Sequence, residues 1–140
     1  EKWLTEKNAC LSSIEWLKNQ KETDAIKILK KLVKEDRWSW ANWVICRLFS
    51  HKQQVQYAAF AAEQVIGIFE KKYPKDKRPR EAIETAKRGI ENPTKKNRAA
   101  ADAAADAADA AANAAYAAAN AAMKNKILKY GLKLLKEATK

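Results

Sequence analysis

Residues 99–122 hold 18 alanines in 24 positions. Alanine has the best intrinsic helix propensity, so this stretch can hardly be anything but helix. The six exceptions, Asp102, Asp106, Asp109, Asn113, Tyr116 and Asn120, are spaced 4, 3, 4, 3 and 4 apart. That rhythm puts them on one stripe of a helix. Continued, it lands on Met123, Ile127, Tyr130 and Leu134. One stripe therefore runs from carboxylates through amides and a phenol to apolar side chains, and methyl groups cover the rest. Small side chains let other helices approach closely, so the block is expected to be a central helix. Ala104, Ala108, Ala111, Ala115 and Ala118 lie roughly 160° around the axis from the stripe and are expected to be deeply buried. The stripe itself has two readings. It is a solvated edge, or it is a polar seam that meets Arg78, Arg80 or Arg98 or lines a cleft for a ligand. No proline occurs from 95 to 139. A continuous helix there would be roughly 65 Å long, so a bend is expected at Lys124-Asn125-Lys126 or at Gly131.

The rest of the chain also reads as helix. Three glycines and three prolines in 140 residues are too few for the turns of a sandwich or barrel. Leu11, Ile14 and Leu17 fall at helical spacing over 8–19, with Trp16 beside them. Thr23 reads as the cap of a helix carrying Ile26, Leu29, Leu32 and Val33 inward and Lys27, Lys30, Lys31 and Lys34 outward. A third helix starts near Asp36. All five tryptophans lie within the first 43 residues, so the heavy part of the core is expected there. A fourth helix covers roughly 52–72 and stops at Tyr73-Pro74, because proline disfavours a helical residue before it. Pro79 suits the start of a fifth, with Ala82, Ile83, Ala86 and Ile90 on its face. Asn92-Pro93-Thr94 closes that helix and can cap the next.

Little in the sequence supports catalysis. There is one histidine, and the two cysteines, Cys10 and Cys46, do not make a secreted disulfide scaffold. No glycine-rich phosphate loop, zinc spacing or nucleophile elbow occurs. Three aspartates on one helix without a histidine are a poor metal signal, so no metal and no cofactor are expected. Glu1-Lys2-Trp3-Leu4 lacks the basic-then-apolar pattern of a secretory leader, and Asp102, Asp106 and Asp109 would make the alanine block expensive to bury in a bilayer. No membrane association and a cytoplasmic location are the expectations.

Charge is the loud compositional signal. The formal net charge is +11, from 28 basic and 17 acidic residues. The excess is uneven: residues 71–98 carry 11 basic and 4 acidic groups, a net of +7. Lys75, Lys77, Arg78, Arg80, Arg88 and Lys95 are therefore the candidate partner-binding residues. Such a surface suits an acidic protein or phosphates. No aromatic residue lies between Lys75 and Lys96, which disfavours base stacking of the single-strand type.

The run Arg78-Pro79-Arg80-Glu81-Ala82-Ile83-Glu84-Thr85-Ala86, followed by Arg98 and the Ala/Asp block, resembles a family of alanine-rich helical bacterial proteins. They are described as immunity proteins (Imm-five-like) of polymorphic toxin systems and also occur as uncharacterised phage-type proteins. Ala9-Cys10, Trp16-Leu17 and Asp36-Arg37-Trp38 with Trp40 and Trp43 fit that family's pattern, so the resemblance covers most of the chain. Two departures stand out. The Lys-rich 124–140 segment replaces a second alanine-rich block, and Gly89-Ile90 replaces a Trp-Gly helix ending. The resemblance implies an all-helical fold and a protein partner, a toxin.

The expected architecture is all-α: one compact bundle of about six helices around a central alanine-rich helix. A Trp-rich half spans 1–74, and a basic helix plus the long alanine-rich helix span 75–140. The expected function is non-catalytic neutralisation of a toxin or similar partner by surface contact. The alternatives are nucleic-acid association through the basic 71–98 hairpin and a ligand cleft along the Asp stripe.

Overall fold

A computed structural model describes residues 2–100, 103 and 120–138. The described elements are helices. They are α1 (Lys2–Glu6), α2 (Leu11–Gln20), α3 (Ala25–Lys34), α4 (Trp38–Leu48), α5 (His51–Lys72), α6 (Arg78–Glu91) and α7 (Ala121–Ala138). Residues 95–100 are also helical. The expected count of about six is thus exceeded among the described residues. The surplus is α1, whose five residues bury only Leu4 and so leave almost no periodic signal, and the helical stretch at 95–100, which stands apart from α7.

Local chemistry sets the boundaries. Asp24, not Thr23, caps α3: its Oδ1 accepts the Lys27 backbone N–H at 2.8 Å. Both residues can cap; a carboxylate facing the first-turn N–H groups also gains from the helix dipole. Ser50 and Gln53 form a reciprocal capping box at the head of α5, which satisfies two otherwise orphaned donors. Tyr73 ends α5 and a proline opens α6, as the sequence predicts. Thr94 Oγ1 accepts from the Asn97 backbone N–H at 3.2 Å and starts the helical stretch at 95.

The 95–139 segment is interrupted, but at neither of the expected bends. Asn120 is not helical; its Oδ1 accepts from the Met123 backbone N–H at 3.0 Å and caps α7. Lys124-Asn125-Lys126 and Gly131, the expected bends, lie inside α7. The amide at 120, which completes the polar stripe by spacing, starts a helix instead, because an asparagine side chain competes well for first-turn donors. Asp102, Asp106, Asp109, Asn113 and Tyr116, and the alanine face from Ala104 to Ala118, lie outside the described residues.

Among the described residues α7 is the hub, packing against α3, α4 and α5, while α5 and α6 form a hairpin. Leu29, Leu32, Ala41, Ile45, Tyr57, Ile127, Leu128 and Leu134 form one core cluster. Smaller clusters, including Val55 with Ala59 and Ala86 and Ile66 with Ile83, knit α5 to α6. The tryptophans are a correction. Each is only partly buried, so the centre of the core is aliphatic. Leu11, expected inward, is 79% exposed, because α2 lies at the edge and has nothing to cover that face.

Candidate functional site

The six candidate cations do not form one patch. Lys75, Lys77, Arg78 and Arg80 gather at the α5–α6 turn and the first turn of α6. Arg88 and Lys95 lie towards the other end of α6, and even Arg80 and Arg88 are about 12 Å apart along its axis. Nor are all six available. Arg78 grips Asp76 with two bonds, Nε to Oδ1 at 2.9 Å and Nη2 to Oδ2 at 2.6 Å. Arg80 crosses the hairpin to Glu70, Nε to Oε1 at 2.6 Å and Nη2 to Oε2 at 2.7 Å. Lys87 reaches Glu63 on the same side. The two arginines expected to meet the Asp stripe are therefore committed to Asp76 and Glu70.

The electrostatic signs follow. The Arg78 guanidinium beside Asp76 holds its carboxyl down at about 2. Hydrogen bonding from Arg80, with the nearby Lys77 charge in support, keeps the Glu70 carboxyl below its usual range. Lys75 and Lys95 are exposed and pair with no acid among the described residues. Arg88 donates from Nη2 to Thr85 Oγ1 at 3.0 Å, a bond that leaves its charge uncompensated. Asn120, from the polar stripe, is exposed at the start of α7.

Cys46 lies in α4 and His51 opens α5, and neither cysteine forms a disulfide among the described residues. Hydrogen bonds from Ser12 and Ser13 lower the Cys10 thiol from its ordinary value. No group of three or more His, Cys, Asp or Glu side chains among the described residues is placed to hold a metal. No described helix is long and apolar enough to cross a membrane.

A concavity that the sequence did not announce lies at the N-terminal end. A cleft of about 610 Å³ opens between α1, α2, α3 and α4. Its walls carry two edge-to-face pairs: Trp3 with Trp43, centroids 6.1 Å apart, and Trp16 with Trp40, 6.2 Å apart. Arg37 sits over the Trp40 ring at 4.6 Å and the Trp16 ring at 5.7 Å, and Arg47 over Trp43 at 3.8 Å. Trp16 Nε1 donates to Glu35 Oε2 at 2.9 Å. The signal available in the sequence was the surplus of tryptophan: five large rings on short helices leave more aromatic surface than those helices can cover.

Neither a curated protein nor a solved structure gives a match to this chain. A family model, the Imm-5 like putative immunity protein, matches residues 45–128. The match runs from the last turn of α4 through α5 and α6 into α7. It includes the Arg78-to-Ala86 run and leaves out the N-terminal tryptophan pattern on which part of the resemblance rested. Because it spans 84 of the 140 residues, the chain belongs to the Imm-5 like putative immunity protein family.

Proposed function

We propose that this chain neutralises a protein toxin by non-catalytic contact, using the basic end of the α5–α6 hairpin. Family membership supports an immunity role, and the exposed lysines at the turn supply the contact chemistry. Lys75 and Lys77 project from a connection held rigid by the Arg78–Asp76 and Arg80–Glu70 forks. Preorganised cations lose less entropy on binding than mobile ones. Arg88 and Lys95 extend the positive field along α6 and attract an acidic partner from a distance. Arg78 and Arg80 act as struts of this surface, since their forks already face carboxylates.

The test takes the product of the neighbouring gene as the candidate toxin and measures its binding by calorimetry at two salt concentrations. Lys75→Glu with Lys77→Glu is expected to weaken the complex at least about tenfold and to reduce its salt sensitivity. Unchanged affinity in that variant sinks the assignment of the surface. Duplex and single-strand probes separate the nucleic-acid reading: tight binding with a log–log salt slope near −0.9 per phosphate would replace the protein-contact reading.

A further inference from the structure

We infer that the cleft between α1 and α4 is a binding site for a small uncharged aromatic molecule. Its volume of about 610 Å³ falls within the range of small-ligand sites and exceeds what one aromatic side chain fills. The walls are four indole rings in two crossed pairs, so edges and faces are both presented to an occupant. Aromatic partners gain from edge-to-face and offset contacts beyond their buried area.

The charge of the occupant follows from what is already spent. Glu22 is the one carboxylate in the wall among the described residues. Its Oε1 accepts the backbone N–H groups of Thr23 and Asp24, both at 2.9 Å, and its Oε2 pairs with Lys27 at 3.5 Å. Arg37 and Arg47 are outside the lining and lie over ring faces. Among the described residues no charged group in the lining is left to answer an ionic ligand, and a charge moved from water into such a site goes uncompensated. Neither α1 nor α2 packs its backbone against another described helix as extensively as α3 and α4 pack against each other. An occupant would thus bridge elements now joined mainly through tryptophan rings. The basic residues of the α5–α6 hairpin take no part in this site, so it stands or falls apart from toxin contact.

The five tryptophans supply their own readout, because Trp38 is outside the cleft. It donates from Nε1 to Asn125 Oδ1 of α7 at 3.2 Å. The full chain labelled with 5-fluorotryptophan is titrated with indole and followed by fluorine NMR, the resonances assigned through single Trp→Phe variants. Saturable shifts are expected for Trp3, Trp16, Trp40 and Trp43, with Trp38 unmoved. Indole-3-acetate and tryptamine, which carry the same ring with a negative or positive charge, are expected to bind at least about tenfold more weakly. Ser39→Phe and Ala25→Phe, two exposed wall positions, fill the space and are expected to abolish the shifts while the far-ultraviolet dichroism stays helical. The proposal is overturned if indole produces no saturable shift, if Trp38 moves with the others, or if the charged analogues bind as tightly. Retained binding in both folded filling variants overturns it as well.

Discussion

Gly131→Ala sets two effects of opposite sign against each other inside α7. Removing a glycine from a helix interior is worth up to about 1 kcal/mol of propensity. The new methyl, however, would stand 2.9 Å from Cε2 of Tyr57 and 3.0 and 3.2 Å from Cγ2 and Cδ1 of Ile45. Neither neighbour can yield easily. Ile45 is completely buried, and the Tyr57 ring is held by a 2.7 Å hydrogen bond from its hydroxyl to Asn42 Oδ1. Overpacking of this kind costs about 1–3 kcal/mol, so a net loss of about 1 kcal/mol is expected, a few degrees in Tm for a chain of this size. Gly67→Ala is the internal control. That glycine is exposed and a Cβ there meets nothing within 4 Å. It should gain about 0.5–1 kcal/mol from propensity and a less flexible unfolded chain. Urea denaturation of the two variants beside the parent reads both signs. If Gly131→Ala proves as stable as Gly67→Ala, α7 does not cross α4 and α5 at close range, and the hub described above is wrong.

Asp24→Ala should cost α3 about 1 kcal/mol while Thr23→Ala costs almost nothing, measured by the same denaturation. Asn120→Ala should remove a similar amount by uncapping α7, and an unchanged midpoint would refute its capping role. The Asp76 carboxyl should titrate near 2 by carbon-detected NMR. Because its folded value is depressed, its contribution to stability is present above the unfolded value near 3.8 and disappears as pH falls towards 2. Arg78→Ala should return the titration to the ordinary carboxylate range; a midpoint still near 2 would show that the guanidinium is not the cause.

Much of the helical layout was legible because long-range context seldom overrides a strong period. The fourth helix is read at 52–72 and forms at His51–Lys72, since its stop is steric and its start is capped locally. Asn120 and Gly131 were misread for one reason. Spacing assigns a residue to a face, and propensity marks it as a breaker, but neither says which partner it will find. Asn120 finds first-turn donors, and Gly131 finds a neighbour too close for a methyl group. The candidate site was half legible. Net charge pointed to residues 71–98, yet the fork that holds Arg80 depends on α5 running antiparallel to α6, which composition does not encode. The surplus of tryptophan hinted at uncovered rings but could not place the cleft, because an apolar ring looks the same in a sequence whether or not another side chain covers it.

The place of α7 bears on how the chain is made. Trp38 and Asn125 are 87 residues apart in sequence, and Gln53 donates to the Leu134 carbonyl across 81. During vectorial synthesis α3, α4 and α5 emerge long before the strip of Ile127, Leu128, Leu134 and Leu135 that covers their apolar faces. Bringing ends so distant together costs about 4 kcal/mol of chain entropy before any contact repays it. A nascent chain stalled before residue 127 therefore carries an uncovered greasy surface, a substrate for chaperones and proteases. The apolar faces of α3, α4 and α5 are covered only once that strip has cleared the ribosome.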